Sequence, residues 1–237
     1  MPEPPTDDTR SVGPPLERIL STIRASFDAR HAAREEALAA TRQIIQHSAG
    51  CIRAVHRRQF DEADRLLTEA QVGARRAQSA LAEHGEIYHA GFLHDALKEL
   101  AEASLTLAVI AGRPLPTPED LGVEYPAYLN GLAETVGELR RFALDSLRHG
   151  ERERAELLLL AMDDIYGLLV TFDYPDAITR GLRRHTDMVR GVTERTRGDL
   201  TLVAVQQELE TQIQALQDRL SAADPGAEPP GALSPPG

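Results

Sequence analysis

Apolar residues recur at helical spacing through most of the chain. Between residues 126 and 149 they lie three or four positions apart, which places on one helix face Leu129, Leu132, Val136, Leu139, Ala143 and Leu147. The segment 86–112 carries a similar stripe, and Gly112 with Pro114 supplies a stop signal at its end. This spacing predicts amphipathic helices that pack along their whole length.

Proline positions divide the chain into segments. Of the 15 prolines, ten lie at positions 2, 4, 5, 14, 15, 225, 229, 230, 235 and 236, and five lie at 114, 116, 118, 126 and 175. Because an interior proline costs a helix about 3 kcal/mol, the long proline-free stretches favour helices. We expect helices at approximately 16–58 (a break near Arg30 is an alternative), 61–84, 86–112, 126–149, 152–172, 176–197 and 199–221. A short helical turn is expected after Thr117.

Strand signals are few, since tryptophan is absent and no alternating run is bounded by Asn-Gly or Asp-Gly. The predicted fold class is all-α, a single-domain antiparallel bundle of about seven helices over residues 16–223. Residues 1–15 and 224–237 are rich in proline, glycine and acidic groups, a composition typical of disordered tails. Residues 157–170 are apolar around most of a helix, so we expect this helix to be central or covered by another subunit.

Composition excludes several classes of protein. No stretch approaches the roughly 18 apolar residues that a membrane span needs, and the first residues lack the order of a secretory signal, so we expect a cytoplasmic protein without membrane contact. The single cysteine cannot form an internal disulfide. The net charge of −11 argues against nucleic acid as a partner, although the two tails carry −2 each.

An acidic stripe on the predicted 86–112 helix is the first candidate site. Asp95, Glu99 and Glu102 flank its apolar face, where partly desolvated carboxylates repel one another unless a cation compensates them. Mg²⁺ is the natural cation for oxygen ligands. The alternative is that these carboxylates are solvated on a charged side of the helix, where Lys98, four positions before Glu102, helps to balance their charge.

A second acidic set, Glu134, Glu138 and Asp145, lies on the 126–149 helix. It falls opposite that helix's apolar stripe, where an amphipathic helix has its solvent face. Two helices that each present carboxylates can nevertheless converge on one metal ion, as helical bundles often arrange.

The basic residues Arg53, His56, Arg57 and Arg58 form the candidate nucleic-acid-binding cluster, because no acidic residue follows them before Asp61. The arginines between 180 and 197 alternate with acids at spacings of three and four. That pattern indicates intrahelical salt bridges first and a nucleic-acid surface second.

Several separated motifs resemble one known family in order and spacing. The stretch YPAYLNGLAETVGELRRFALDSLRHG (Tyr125 to Gly150) resembles the signature helix of the translin and TRAX (translin-associated factor X) family. HDALKELAEA (His94 to Ala103) resembles the family's Q-E-x-x-E-A segment, and residues 161–200 resemble its C-terminal helices. The resemblance covers roughly residues 34–210.

This resemblance implies an all-α fold of about seven helices and large hollow homo-oligomers, often octamers, that bind single-stranded RNA or DNA. TRAX-like members are Mg²⁺-dependent endoribonucleases. The metal-binding and catalytic positions of TRAX-like members correspond in this sequence to Glu99, Glu102 and Glu134. At residue 134 the family has an aspartate, whose side chain is one methylene shorter than that of glutamate. The resemblance therefore implies metal-assisted phosphodiester cleavage, with Glu138 as an outer group and Arg53, Arg57 and Arg58 guiding the strand.

Two other functions stay open. The first is a non-catalytic, translin-like nucleic-acid-binding oligomer. The second is a helical adaptor protein that binds no nucleic acid.

Overall fold

Helices account for the regular structure of residues 13–223, the part of the chain that the computed structural model describes. They are α1 (Gly13–His56), α2 (Phe60–Leu81), α3 (Gly85–Tyr88), α4 (Phe92–Ala111), α5 (Pro118–Leu121), α6 (Tyr125–Arg148), α7 (Arg152–Leu169), α8 (Asp176–Thr179) and α9 (Leu182–Ala223). No strand occurs within these residues, which confirms the all-α class. The predicted tails lie outside the described residues, except that α1 begins at Gly13.

Two predicted boundaries are wrong because local backbone geometry overrides the apolar pattern. The expected 86–112 helix is divided into α3 and α4, where Gly91 has a φ of 102° that helices do not contain. The break expected at residue 198, between the predicted helices 176–197 and 199–221, does not exist, because α9 continues through this residue without interruption. The chain instead breaks at Arg180 (φ 51°) and Gly181 (φ 87°), which separate α8 from α9. The first helix, α1, continues through Arg30 without a break.

Two groups of buried apolar side chains show how the helices run. One group joins residues 37–44 of α1, 70–81 of α2 and 93–105 of α4 with Ala127 at the start of α6. The other joins residues 51–55 of α1, Ala63 of α2 and 103–110 of α4 with the later part of α6, with α7 and with α9. Helices α1, α4 and α6 therefore point in the same direction, and α2 points in the opposite one.

The connection between α4 and α6 makes this arrangement possible. Residues 112–124 carry the chain back, and Leu121 and Val123 pack into the first apolar group beside the start of α4. Thr117 caps α5 through a reciprocal pair of hydrogen bonds with Asp120, which confirms the helical turn expected after Thr117. Because the chain returns before α6 begins, residues of α6 lie beside residues of α4 in matching order.

Several exposed apolar side chains lie together on each of three helices. Six of the 18 residues of α7 are buried, yet Leu157, Leu160 and Leu168 are exposed, so this helix is not central. Exposed apolar residues also follow α1 from Leu16 to Phe27 and α9 from Leu202 to Leu220. Within residues 13–223, no helix has both the length and the apolar character required to cross a membrane.

Candidate metal centre and nucleic-acid interface

Three glutamates from two neighbouring helices meet at one point. Glu99 and Glu102 come from α4 and Glu134 comes from α6, and one carboxylate oxygen of each lies within 4.8 Å of the others. We call these three residues the carboxylate cluster. The structure thus brings together the residues that the sequence assigned to a metal site. Asp95, the first member of the acidic stripe, lies outside the cluster and lines a neighbouring cleft.

Gly131 allows the two helices to approach closely enough for the cluster to form. A Cβ at this position would lie 2.7 Å from the Lys98 carbonyl oxygen, 2.8 Å from the Ala101 Cβ and 2.9 Å from the Glu102 backbone nitrogen. Thr135, one turn later, donates a hydrogen bond to the Gly131 carbonyl at 3.0 Å and lies 3.4 Å from the Glu102 carbonyl. The helix backbones therefore touch beside the three carboxylates.

Lys98 lies inside the cluster and is not part of a solvated, charged side of the helix. Its Nζ donates a hydrogen bond to Glu134 Oε2 and lies 3.5 Å from Glu99 Oε1, and its side chain is 16% exposed. Burial lowers the pKa of Lys98, but the contacts with Glu134 and Glu99 outweigh it and raise that pKa overall. Lys98 thus supplies one positive charge against three carboxylates.

One lysine does not neutralise the cluster. Burial raises the pKa of Glu102 from 4.5 to about 8, and repulsion from Glu99, Glu134 and Glu138 adds to this effect. The charge of Lys98 lowers the pKa of Glu102, but not enough to offset burial and the neighbouring carboxylates. A bound cation would supply the missing charge.

His56 and Glu138 form a partly buried, hydrogen-bonded pair behind the cluster. The side chain of His56 is 6% exposed, and its Nε2 shares a hydrogen bond with Glu138 Oε2. This bond and the charge of His56 lower the pKa of Glu138 although burial opposes them. The expectation of a solvent face for Glu134 and Glu138 is therefore wrong. The reason is that α6 packs against α4 on one side and against α7 and α9 on others, whereas the side chain of Asp145 near its end is 44% exposed.

The predicted nucleic-acid-binding residues separate into different environments. Arg53 and Arg57 are exposed and form no ion pair within residues 13–223. Arg58 donates a hydrogen bond to Glu151, and its guanidinium lies 5.3 Å from the centre of the Phe142 ring. His56 points into the protein, as described above, so its assignment to a nucleic-acid surface is corrected.

Sequence reasoning missed His185 and misjudged Lys98. His185 is in α9, and its Nε2 lies 3.9 Å from Glu134 Oε1. Burial lowers the pKa of His185. No spacing rule connects residue 185 with residue 134, so only the fold could have brought them together.

Comparisons with known proteins bear on the family and the fold of the chain. No family model matches the sequence. An uncharacterized protein of Methanocaldococcus jannaschii is 30% identical over 190 residues, which cover 79% of this chain and 84% of that protein. The crystal structure of AfC3PO is 38% identical and has a TM-score of 0.73, and a complex of AfC3PO with duplex RNA is 37% identical with a TM-score of 0.74. Each match covers 79% of this chain and 97% of the solved chain.

The chain belongs to the C3PO/translin family. A third structure, apo-NeC3PO, is 21% identical with a TM-score of 0.71 and shows the shared fold alone. The translin-like fold expected from the signature helix is thus confirmed. About a fifth of this translin-family chain lies outside the match, although the AfC3PO chain is covered almost completely.

Proposed function

We propose that this translin-family protein binds single-stranded RNA or DNA and is a Mg²⁺-dependent endoribonuclease. The observation that carries the proposal is the carboxylate cluster, in which three glutamate oxygens from two helices lie within 4.8 Å of one another. Glu99, Glu102 and Glu134 are the proposed metal ligands and catalytic residues.

The residues of the cluster fit a hard divalent cation. All three donors are carboxylate oxygens, which Mg²⁺ prefers, and Mg²⁺ needs only a few protein ligands besides water and substrate phosphate. The raised pKa of Glu102 supports this fit, because the charge of the cluster is not balanced by Lys98 alone. Bound there, the cation would offset the negative charge that develops on a phosphodiester during cleavage.

The protein's own residues prepare the site in three ways. Glu99 and Glu102, one turn apart on α4, present their carboxylates toward Glu134 on α6. Lys98 holds Glu134 through a hydrogen bond. His56 fixes the orientation of Glu138 behind the cluster, so that Glu138 acts as an outer group.

RNA is the substrate class that the comparisons support. One matched structure is a complex of AfC3PO with duplex RNA. In this chain, Arg53 and Arg57 are exposed at the end of α1, one turn or less from His56 and its contact with Glu138. Arginines that contact backbone phosphates read no base sequence, so binding should be weakly specific and should fall steeply with salt.

The test measures cleavage of labelled single-stranded and duplex RNA with Mg²⁺ and with EDTA. We expect cleavage by the wild type with Mg²⁺ only, and a loss of at least about a hundredfold in Glu99→Gln and Glu134→Gln. Glu83→Gln is the matched control, because Glu83 is exposed and forms no ion pair with another described residue. Cleavage that survives EDTA and both cluster variants would refute the assignment.

Binding without cleavage is the second candidate function, and Lys98 is the observation that favours it. Its ammonium already occupies a position beside Glu134 and Glu99, where it competes with a metal ion for the same carboxylates. RNA binding that is salt-sensitive, with no cleavage in Mg²⁺ or Mn²⁺, would select this function.

We also propose that the chain forms a homo-oligomer, with an octamer as the expected assembly. The support is the exposed apolar surface of α7, where Leu157, Leu160 and Leu168 are each more than half exposed. Native mass spectrometry measures the assembly directly, since one chain is 25.9 kDa. A mass of one chain at micromolar concentration would contradict this proposal.

A further inference from the structure

A cleft of about 320 Å³ adjoins the carboxylate cluster on the side of α9. It lies between the first turns of α4, the buried part of α6 and the junction of α8 with α9. Its side chains belong to His94, Asp95, Lys98, Asn130, Arg180 and His185. We call it the Arg180 cleft. Lys98 and His185 also contact Glu134, so the cleft and the cluster share one wall.

Polar groups in this wall lack hydrogen-bond partners although they are buried. His94 is 8% exposed and Asn130 is 1% exposed. Among the residues that the structure describes, His94 Nδ1, Asn130 Oδ1 and His185 Nδ1 have no hydrogen-bond partner. Buried polar atoms without partners are costly, and three of the ten such atoms in residues 13–223 belong to side chains that line this cleft, where a polar ligand or water would supply partners.

Arg180 gives the cleft a free positive charge. It forms no ion pair with another residue between 13 and 223, whereas Lys98 is occupied by Glu134 and Glu99. The rings of His94 and His185 line the cleft and add nitrogen atoms that can form hydrogen bonds. Asp95 lies in the first turn of α4, where the helix dipole compensates a carboxylate.

The backbone around Arg180 is held in an uncommon conformation. Its φ is 51°, in the left-handed region that residues other than glycine rarely adopt. The Asn130 side chain fixes this segment, because Nδ2 donates to the carbonyls of Thr179 at 3.0 Å and Arg180 at 3.3 Å. Strain of this kind is concentrated at functional sites, and here it occurs at a residue that lines the cleft.

We propose that the Arg180 cleft binds the backbone phosphate next to the one that is cleaved. This inference rests on the proposed function, since it takes the carboxylate cluster as the cleavage site. Arg180 supplies the charge and a planar set of N–H donors that matches a phosphate, and the imidazoles of His94 and His185 add further hydrogen-bonding nitrogens. The shared wall at Lys98 and His185 puts the two phosphate positions side by side along one strand.

Binding of a fluorescein-labelled single-stranded RNA, measured by anisotropy in EDTA over a range of KCl concentrations, tests the cleft without cleavage. We expect Arg180→Gln to weaken binding about fivefold to tenfold and to reduce the slope of log K against log [KCl] by about 0.7, the value for one lost phosphate contact. Arg180→Lys should keep the slope because it keeps the charge. Arg42→Gln is the matched control, since Arg42 is exposed on α1 and forms no ion pair with another described residue.

The outcomes separate the inference from the function on which it rests. Equal slopes for Arg180→Gln and the wild type, or equal effects of Arg180→Gln and Arg42→Gln, overturn the Arg180 cleft as a phosphate site. A wild type that binds RNA in EDTA but does not cleave it with Mg²⁺ overturns the endonuclease proposal, and the slopes still decide the cleft. A wild type that binds no RNA overturns both. Mn²⁺ affinity and urea unfolding of each variant show that the cluster and the fold are intact.

Discussion

Replacement of Gly131 by alanine should separate α4 from α6 and disturb the carboxylate cluster. The new Cβ would lie 2.7 Å from the Lys98 carbonyl and 2.9 Å from the Glu102 nitrogen, both backbone atoms that cannot turn aside. Ordinary contacts begin at 3.4 Å, so the helices must move apart by roughly half an ångström or more. Such overpacking costs about 1–3 kcal/mol, which exceeds the gain of about 1 kcal/mol from alanine's helix propensity.

Gly137 offers a matched control on the same helix. A Cβ at this position meets no atom within 4 Å, so Gly137→Ala should stabilise the protein by about 0.5–1 kcal/mol. Because both variants gain the helix propensity of alanine, we expect them to differ by the overpacking cost of about 1–3 kcal/mol in urea unfolding at equal protein concentration. Gly131→Ala should also bind Mn²⁺ at least about tenfold more weakly by calorimetry, because Glu134 moves away from Glu99 and Glu102. Equal stability and equal Mn²⁺ affinity of the two variants would refute the reasoning.

Three further predictions concern charged and buried groups. In EDTA the wild type should lose stability as pH rises from about 4.5 to 8, because native Glu102, with its raised pKa, binds its proton more tightly than the unfolded chain does. Glu102→Gln should lack this loss, so its free energy of unfolding in urea should exceed that of the wild type by about 2–4 kcal/mol at pH 9 and equal it at pH 4. Equal pH profiles of the two proteins would contradict this. Lys98→Met should lower the stability of the protein in EDTA, because one positive charge leaves the cluster. For the same reason it should tighten Mn²⁺ binding about tenfold in calorimetry. An unchanged Mn²⁺ affinity would show that Lys98 does not compete with the metal. Burial raises the pKa of the Cys51 thiol to about 12, so thiol reagents should label it only after unfolding, and rapid labelling of the native protein would contradict the buried position.

The elements of the fold followed closely from local signals. Prolines 114, 116, 118, 126 and 175 lie between helices or at their first residues, as expected for a residue that disrupts helix interiors. The apolar stripe of 126–149 is buried or half-buried at each of its positions, since a continuous stripe must pack against a neighbour. The errors arose where backbone conformation decided the outcome, at Gly91 and at Arg180.

The candidate site was predictable in part. Glu99 and Glu102 lie one turn apart on one helix, so their proximity is a local property that spacing reveals. The contribution of Glu134 came only through the resemblance to the family, because the apolar stripe of α6 indicated a solvent face for it. That indication fails for a helix with neighbours on several sides, where no face is left entirely to solvent.

The sequence by itself determined that the protein is helical, where most helices begin and end, and that two helices carry clustered carboxylates. Only the tertiary structure decided that the carboxylates of the two helices meet, that Lys98 and His185 contact Glu134, and that His56 is buried against Glu138. The physical reason is that periodicity fixes which residues share a helix face, whereas the direction and separation of two helices depend on the returning 112–124 connection and on the close contact at Gly131.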